Sequence, residues 1–404
     1  MKILIIGGGG REHALAWELR RDGHRVFAAP GNPGIAQEGE IVATTDYLAA
    51  ADSVRPDLTV VGPEVPLVAG IVDRFRAAGW PIVGPTEENA RLEGSKIHSK
   101  EFMQRLGIPT ARFVRAESEQ EALGALERFD YPVVVKADGL AAGKGVAIAQ
   151  DRGQAAASVR SLGPRLVIEE FLTGEEVSFI ALCDGTTALS LEATQDHKAI
   201  CDGDMGPNTG GMGAYCDGRI LSGAAMSAIM ERVIQPVMHA TSFTGFLYAG
   251  LMMTPDGPKV LEFNVRLGDP ETQPLMHRLD SDFGDILMRA ASGDLKGAAL
   301  RWKSDPSVCV VLAAEGYPGQ ARTGDRIRGI EACGAEVFQA GTRAGAGGLE
   351  TAGGRVLGVT ARGSDLGAAI GNVYAAVERI HFEGMHYRRD IGQKGLKRWE
   401  KAPQ

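Results

Sequence analysis

The sequence predicts a chain of mixed α/β and α+β class: an N-terminal parallel α/β unit, a central unit and a small C-terminal α+β unit. Three observations carry that expectation. Short apolar runs alternate with helical stretches over the first hundred residues, the pattern of a parallel sheet with helices on its faces. Further on, a glycine-rich segment, Asp138–Gly145, joins two strand-like runs instead of a strand and a helix. From Leu300 the chain offers strands at Val308–Ala313, Glu336–Gln339 and Arg355–Thr360, then a helix at Asp365–Arg379.

In the first unit the strands are Lys2–Ile6, Arg25–Ala29, Leu58–Val61 and Pro81–Val83, with helices at Ala14–Arg21 and Val68–Ala78. Each strand ends in a Gly- or Pro-containing loop, and ligands of open parallel sheets bind outside the carboxyl ends of the strands. The layout is Rossmann-like, yet a dinucleotide is disfavoured. Arg11, Glu12 and His13 follow Gly7–Gly10, so no frame gives Gly-x-Gly-x-x-Gly, and the second strand runs into Pro30-Gly31-Asn32 without an acid for a ribose hydroxyl. Glycine amides at a helix start suit a simple phosphate, and Arg11 adds charge there.

Beyond Glu93 come a helix at Ser99–Leu106, a strand at Ala111–Val114, a helix at Glu119–Phe129 and a strand at Pro132–Lys136. The segment after Lys136 lacks what a Walker loop needs: only Leu140–Ala142 separate Gly139 from Gly143, and Gly145 stands where a hydroxyl should reach magnesium. Because Val146–Ala149 resumes a strand, a glycine hairpin lying over phosphates is the better reading. A helix near Gln154–Leu162, strands at Leu166–Glu170 and Val177–Cys183, a glycine-rich loop at Gly203–Gly213 and a helix near Ala224–Met238 follow. A strand pair, Gly245–Met253 and Lys259–Leu267, closes the unit.

Composition narrows the function. With 404 residues, 44% hydrophobic and 23% charged, the chain suits two to four soluble domains, and a net charge of −8 argues against a broad nucleic-acid-binding face. No apolar run approaches the roughly 20 residues of a membrane span, so a cytoplasmic protein is expected. Five cysteines form no Cys-x-x-Cys pair, His197 and Cys201 have no second pair nearby, and no Gly-x-Ser-x-Gly elbow occurs.

The most informative run is Lys259–Leu267. Strand alternation puts Glu262, Asn264 and Arg266 on one face and Leu261, Phe263, Val265 and Leu267 on the other. A carboxylate and an amide oxygen two residues apart are hard ligands suited to Mg²⁺, although a solvated polar edge would show the same alternation. Asp269 and Glu271 follow in a proline-bounded loop. Lys136 at a strand end and Lys144 inside the hairpin could flank a phosphate chain; lysines there are more often surface charges. Glu169–Glu176 reads equally as an adenine slot or a charged turn, and Gly206–Gly213 as an anion-facing loop or a flexible one.

In this order the segments resemble the ATP-grasp superfamily of carboxylate–amine ligases. The resemblance rests on Gly8-Gly-Gly-Arg-Glu-His-Ala14, Gly62-Pro-Glu64, Glu93-Gly-Ser-Lys96, Lys136–Gly145, Glu169-Glu-Phe-Leu172, Gln195-Asp-His-Lys198, Gly206–Tyr215, Glu262-Phe-Asn-Val-Arg266 and Gly268–Gln273, and extends to Gly316–Gly319 and Gly353–Val356. Within the superfamily these motifs are most similar to those of the ligases that join glycine to 5-phosphoribosylamine in purine biosynthesis, cleaving ATP to ADP and phosphate.

The resemblance implies an ATP-grasp fold with a Rossmann-like domain at 1–98, an ATP-grasp domain at 99–299 carrying a mobile lid at about 112–170, and a C-terminal domain at 300–404. It implies ATP on Lys96, Lys100, Lys136, Gly139, Gly143, Lys144, Gly145, Glu169, Glu170, Phe171, Leu172 and Glu176, and Mg²⁺ or Mn²⁺ on Glu262 and Asn264. Arg266, Lys136 and Lys144 would be catalytic. Glycine and the sugar amine would meet Gly9, Gly10, Arg11, Glu12, Gly31, Asn32, Pro63, Glu64, Asp196, Lys198, Asn208, Thr209, Gly210, Gly211, Met212, Arg266, Asp269 and Glu271. A monomer with small-molecule substrates only, and no nucleic acid or membrane partner, is expected. Two departures stand out: Tyr248–Leu251 supplies no further metal-binding acid, and Leu267 replaces the usual Phe. The competing readings are another ATP-grasp ligase or carboxylase acting on a different small acid, a dinucleotide-dependent oxidoreductase, and an inactive scaffold.

Overall fold

The computed structural model describes residues 1–141 and 145–400. Its first sheet is parallel throughout, in the order Glu40–Ile41, Arg25–Pro30, Lys2–Gly7, Leu58–Val61, Ile82–Val83. The near-continuous apolar strands follow from burial of both faces. Ile3, Ile5, Val26 and Ala28 pack with Leu15 and Leu19 of the first helix, while Leu4, Ile6, Phe27 and Ala29 join the cluster that holds Phe179, Leu247 and Val310. The single helix expected at Val68–Ala78 is two, Glu64–Val68 and Ile71–Ala77, because Gly70 takes a left-handed conformation (φ 72°) that ends one and starts the other. A helix at Tyr47–Val54, capped by Asp46, was not expected.

A four-stranded antiparallel sheet follows, in the order Phe113–Ala116, Leu166–Glu170, Val133–Ala137, Val146–Ala149. With the helices Glu119–Ala125 and Arg152–Leu162 it closes a core of its own around Val133, Val135, Ile168, Ala122 and Val159. The glycine segment does join two antiparallel strands, and Ala137 N–H donates to Gly145 O at 2.8 Å at its base. Gly143 and Lys144 lie outside the described residues.

The largest sheet has nine strands. Its path runs Gly257–Asn264, Thr244–Thr254, Glu175–Asp184, Thr194–Asp196, Gly213–Cys216, Ser307–Ala313, Arg355–Arg362, Glu336–Gln339, with Ala188–Ser190 beside Glu175–Asp184. The C-terminal strands therefore hydrogen-bond directly to the central ones, through Gly213–Cys216 against Ser307–Ala313. Part of the expected glycine-rich loop is a strand, Met205–Asn208, paired with Ala199–Cys201. The strand expected at Lys259–Leu267 stops at Asn264, since the next amide, Val265 N–H, donates to the Glu93 carboxylate (2.8 Å) instead of to a neighbouring strand.

Candidate active site

Loops at the carboxyl ends of two parallel strands, the glycine hairpin and the end of the nine-stranded sheet surround one cavity of about 710 Å³. The hairpin is held at its root. Ser95 caps the helix Lys96–Leu106 by accepting from His98 N–H, and its hydroxyl donates to Asp138 Oδ1 at 2.9 Å. Asp138 also accepts from Ile97 N–H at 3.1 Å, and Lys96 Nζ donates to Gly139 O at 2.8 Å. Burial lowers the Lys96 pKa, and the Glu262 carboxylate opposes that shift.

Deeper in the cavity two buried lysines share one carboxylate. Lys100 Nζ lies 2.5 Å from Glu169 Oε2, and Lys136 Nζ pairs with Oε1. Lys136 also donates to Leu261 O at 3.1 Å, and Lys100 to Thr110 Oγ1 at 2.7 Å. Burial pushes Lys100 down to about 8 against the pull of Glu169. Burial works against the Glu169 carboxylate too, but the Lys136 and Lys100 ammonium groups outweigh it and hold its pKa below the usual range. Two lysines meet one carboxylate here, so an anion beside them would find an ammonium not fully matched by Glu169. Beside them Leu172 packs with Ala111, Met252 and Leu261, an apolar floor with Phe171 half exposed at its edge. Glu170 and Glu176 line the same wall.

Glu262 and Asn264 stand at the end of their strand. Burial would raise the Glu262 pKa, but Lys198, Lys136 and Lys96 hold it low. Lys198 Nζ is 4.0 Å from Glu262 and 3.1 Å from Glu176. Arg266 sits in the bend after the strand, where its Nη2 donates to Asn264 Oδ1 (3.2 Å) and Glu93 Oε1 (2.9 Å) and its Nε lies 3.5 Å from Glu64. Glu271 is fixed by Tyr248 OH at 2.5 Å and Ser178 Oγ at 3.1 Å. Asp196 is pushed up to about 7, by burial first, with Lys198 opposing and Glu271, Glu176 and Glu262 adding to the rise. Asp269 is held low despite burial by Arg355 and Arg11.

Of the residues expected on the substrate side, Gly9, Arg11, Glu12, Pro63, Glu64, Asp196, Lys198, Asn208, Thr209, Gly210, Arg266, Asp269 and Glu271 line the cavity. Five others stand behind its wall. Asn32 spends its amide on Gly8 O and Gln339 O, Met212 is fully buried against Ile200 and Ala313, and Gly10, Gly31 and Gly211 do not reach the lining, the last two holding left-handed backbone (φ 68° and 114°) that favours glycine. The helix-start amide expected to meet a phosphate is taken. Gly9 N–H donates to Glu12 Oε2 at 2.5 Å, while Glu12 Oε1 accepts from Arg11 Nε at 2.5 Å. Sequence reasoning assigned no role to Glu93, Ser178, Tyr248, Tyr317 or Arg355. Glu93 and Arg355 sit in quoted motifs, Glu93-Gly-Ser-Lys96 and Gly353-Gly-Arg-Val356, but nothing in their spacing says which carbonyl or guanidinium they meet.

Comparison with known proteins finds relatives along the whole chain. A relative from Xylella fastidiosa named phosphoribosylamine–glycine ligase is 48% identical over 98% of this chain and 97% of its own, and one of the same name from Xanthomonas axonopodis is 47% identical over the full length of both. A crystal structure of phosphoribosylamine–glycine ligase from Thermotoga maritima superposes with a TM-score of 0.87 at 34% identity, covering 97% of this chain and all of that one. At 17% identity, the biotin carboxylase domain of a Hydrogenobacter thermophilus 2-oxoglutarate carboxylase, solved with MgADP, shares the fold with a TM-score of 0.72 over 96% of this chain and 91% of that one. Residues 1–93, 94–272 and 307–394 match the N, ATP-grasp (A) and C domains of phosphoribosylglycinamide synthetase, and the chain belongs to that family.

Proposed function

We infer that this cavity joins glycine to 5-phosphoribosylamine at the expense of ATP, forming glycinamide ribonucleotide, ADP and phosphate for purine biosynthesis. The observation that carries the reading is the convergence of three lysines, Lys96, Lys100 and Lys136, with the oxygen pair Glu262 and Asn264 and the Asp196–Lys198 pair in one cavity. A glycine carboxylate oxygen attacks the γ-phosphorus and ADP leaves. The nitrogen of the sugar amine then attacks the acyl carbon, phosphate departs with the bonding pair, and the nitrogen gives up a proton. No protein nucleophile is needed, so the chain's work is neutralising charge and aligning the partners.

Lys96, Lys100 and Lys136 take the phosphate chain, with Gly139 and Gly145 beside it; Gly143 and Lys144, also expected on ATP, lie outside the described residues. The floor at Leu172 and Met252 takes the adenine. Glu262 and Asn264 fit a hard divalent cation, because both present oxygen at the cavity and Glu262 is kept ionised by its lysine neighbours. Mg²⁺ or Mn²⁺ there would screen the charge on the transferring phosphoryl group. Asp196 and Glu271 suit the ammonium of glycine, Arg266 its carboxylate, and Arg11 with Asp269 the sugar phosphate end. The sheet at 113–170, with its separate core, serves as a lid, and the protein acts as a monomer. Among the described residues no helix is long and apolar enough to cross a membrane.

The test is ADP release from Mg-ATP with glycine and freshly prepared 5-phosphoribosylamine, supplied singly and together. Full-rate release should need both. Equal release without either one, or none with both, overturns the reading.

A further inference from the structure

We propose that Arg355, supplied by the C-terminal unit, is a positioning residue that sets the sugar-amine end of the cavity. Arg355 opens the strand Arg355–Arg362, yet its guanidinium reaches out of that strand to two loops from the central unit. Nη1 donates to Asp269 O at 2.6 Å and to Gly210 O, and Nη2 pairs with Asp269 Oδ2 at 2.7 Å. From the same unit Tyr317 OH accepts from Gly210 N–H at 3.0 Å. Both polar groups of one glycine are thus held by C-terminal side chains. The fit is close: a Cβ at Gly210 would lie 3.1 Å from Arg355 Cζ.

The grip passes directly to residues that face the substrates. Thr209, next to Gly210, donates through both N–H and Oγ1 to Lys198 O at 2.8 Å, so the position of Gly210 fixes the chain that carries Lys198. Asp269 lies between Arg355 and Arg11, and its backbone leads to Glu271. A planar guanidinium offers its donors in one fixed fork, which holds a carbonyl and a carboxylate at a set angle, whereas an ammonium acts as a rotating point charge. Lys100, Glu169 and Lys136 make no contact with Arg355, Tyr317, Gly210 or Asp269 among the described hydrogen bonds and ion pairs, and the nearest link to the ATP end is Lys198, whose ammonium meets Glu176 and Glu262.

The proposal rests on the ligase reading, and its test separates the two. In steady-state kinetics, Arg355→Ala should raise the KM for 5-phosphoribosylamine about tenfold or more, the loss expected for charged hydrogen bonds. The KM for ATP should change far less, and Arg355→Lys should recover only part of the loss. An equal rise in every KM, or none, overturns the positioning role. Should Arg355→Ala fail to fold, Tyr317→Phe carries the test: a rise confined to the same KM supports the role, and no change overturns it. The ligase reading itself stands or falls on the wild-type protein, whose full-rate ADP release must need both glycine and the sugar amine.

Discussion

Glu169 is the residue on which the cation end of the cavity depends. It is 1% exposed and lies between two lysines that are themselves buried. Removing one partner of a buried ion pair leaves uncompensated charge, which costs about 3 kcal/mol or more. Glu169→Gln should therefore lower the unfolding free energy in urea by about 3 kcal/mol, and saturating ATP should restore much of it, because the phosphates supply the missing anion. Asp196 gives the opposite case. Its folded pKa of about 7 lies above the ordinary value of 3.8, so its stability contribution is present in acid and lost as pH rises through 7. Asp196→Asn removes that late cost. Melting temperatures should show the variant level with wild type at pH 4 and higher by a few degrees at pH 8, while turnover with glycine falls.

At the scale of single elements, the helix Lys96–Leu106 and the glycine hairpin act together through Asp138. Asp138→Ala removes acceptors for Ser95 Oγ and Ile97 N–H without touching the helix core. The KM for ATP should rise about tenfold, with far-UV circular dichroism unchanged. The hairpin itself was legible, because a strand-like run on each side of a glycine segment excludes a Walker loop by local pattern alone. Glu262 and Asn264 were legible as neighbours on one strand, but Leu261 and Phe263, expected on the opposite face, line the same cavity, where the strand's register shifts against Gly250 and Leu251. The bend at Arg266 was not. It depends on Glu93, more than 150 residues away in sequence, whose carboxylate takes both Val265 N–H and the guanidinium. Gly9 shows the limit differently: its amide looked free until Glu12, one helical turn on, folded back over it.

Across the whole molecule, the C-terminal residues are joined to the rest at several places. His13 is fully surrounded and accepts from Gln339 N–H at 2.7 Å, Asn32 donates to Gln339 O, and Arg388 pairs with Asp204 and Asp390 beneath the hairpin that leads from Lys198. Burial lowers the His13 pKa to about 4, so it stays neutral at this contact at physiological pH. A chain ending before Ser307 would leave the strand Gly213–Cys216 unpaired on one side and the apolar residues Val308 and Val310 without replacement. Such a truncation should be insoluble or aggregated by sedimentation, as exposed apolar edges are.

The same shared sheet governs how the protein is made. Gly213–Cys216 leaves the ribosome about ninety residues before its partner Ser307–Ala313, an interval on the order of ten seconds at ordinary elongation rates. During that interval the nascent chain carries an open strand edge in its middle, and the cavity loop at Gly210 has neither Tyr317 nor Arg355 to hold it. Ligase activity is therefore expected to wait until Ser307–Ala313 and Arg355 have emerged, which activity assays on stalled nascent chains of increasing length would check.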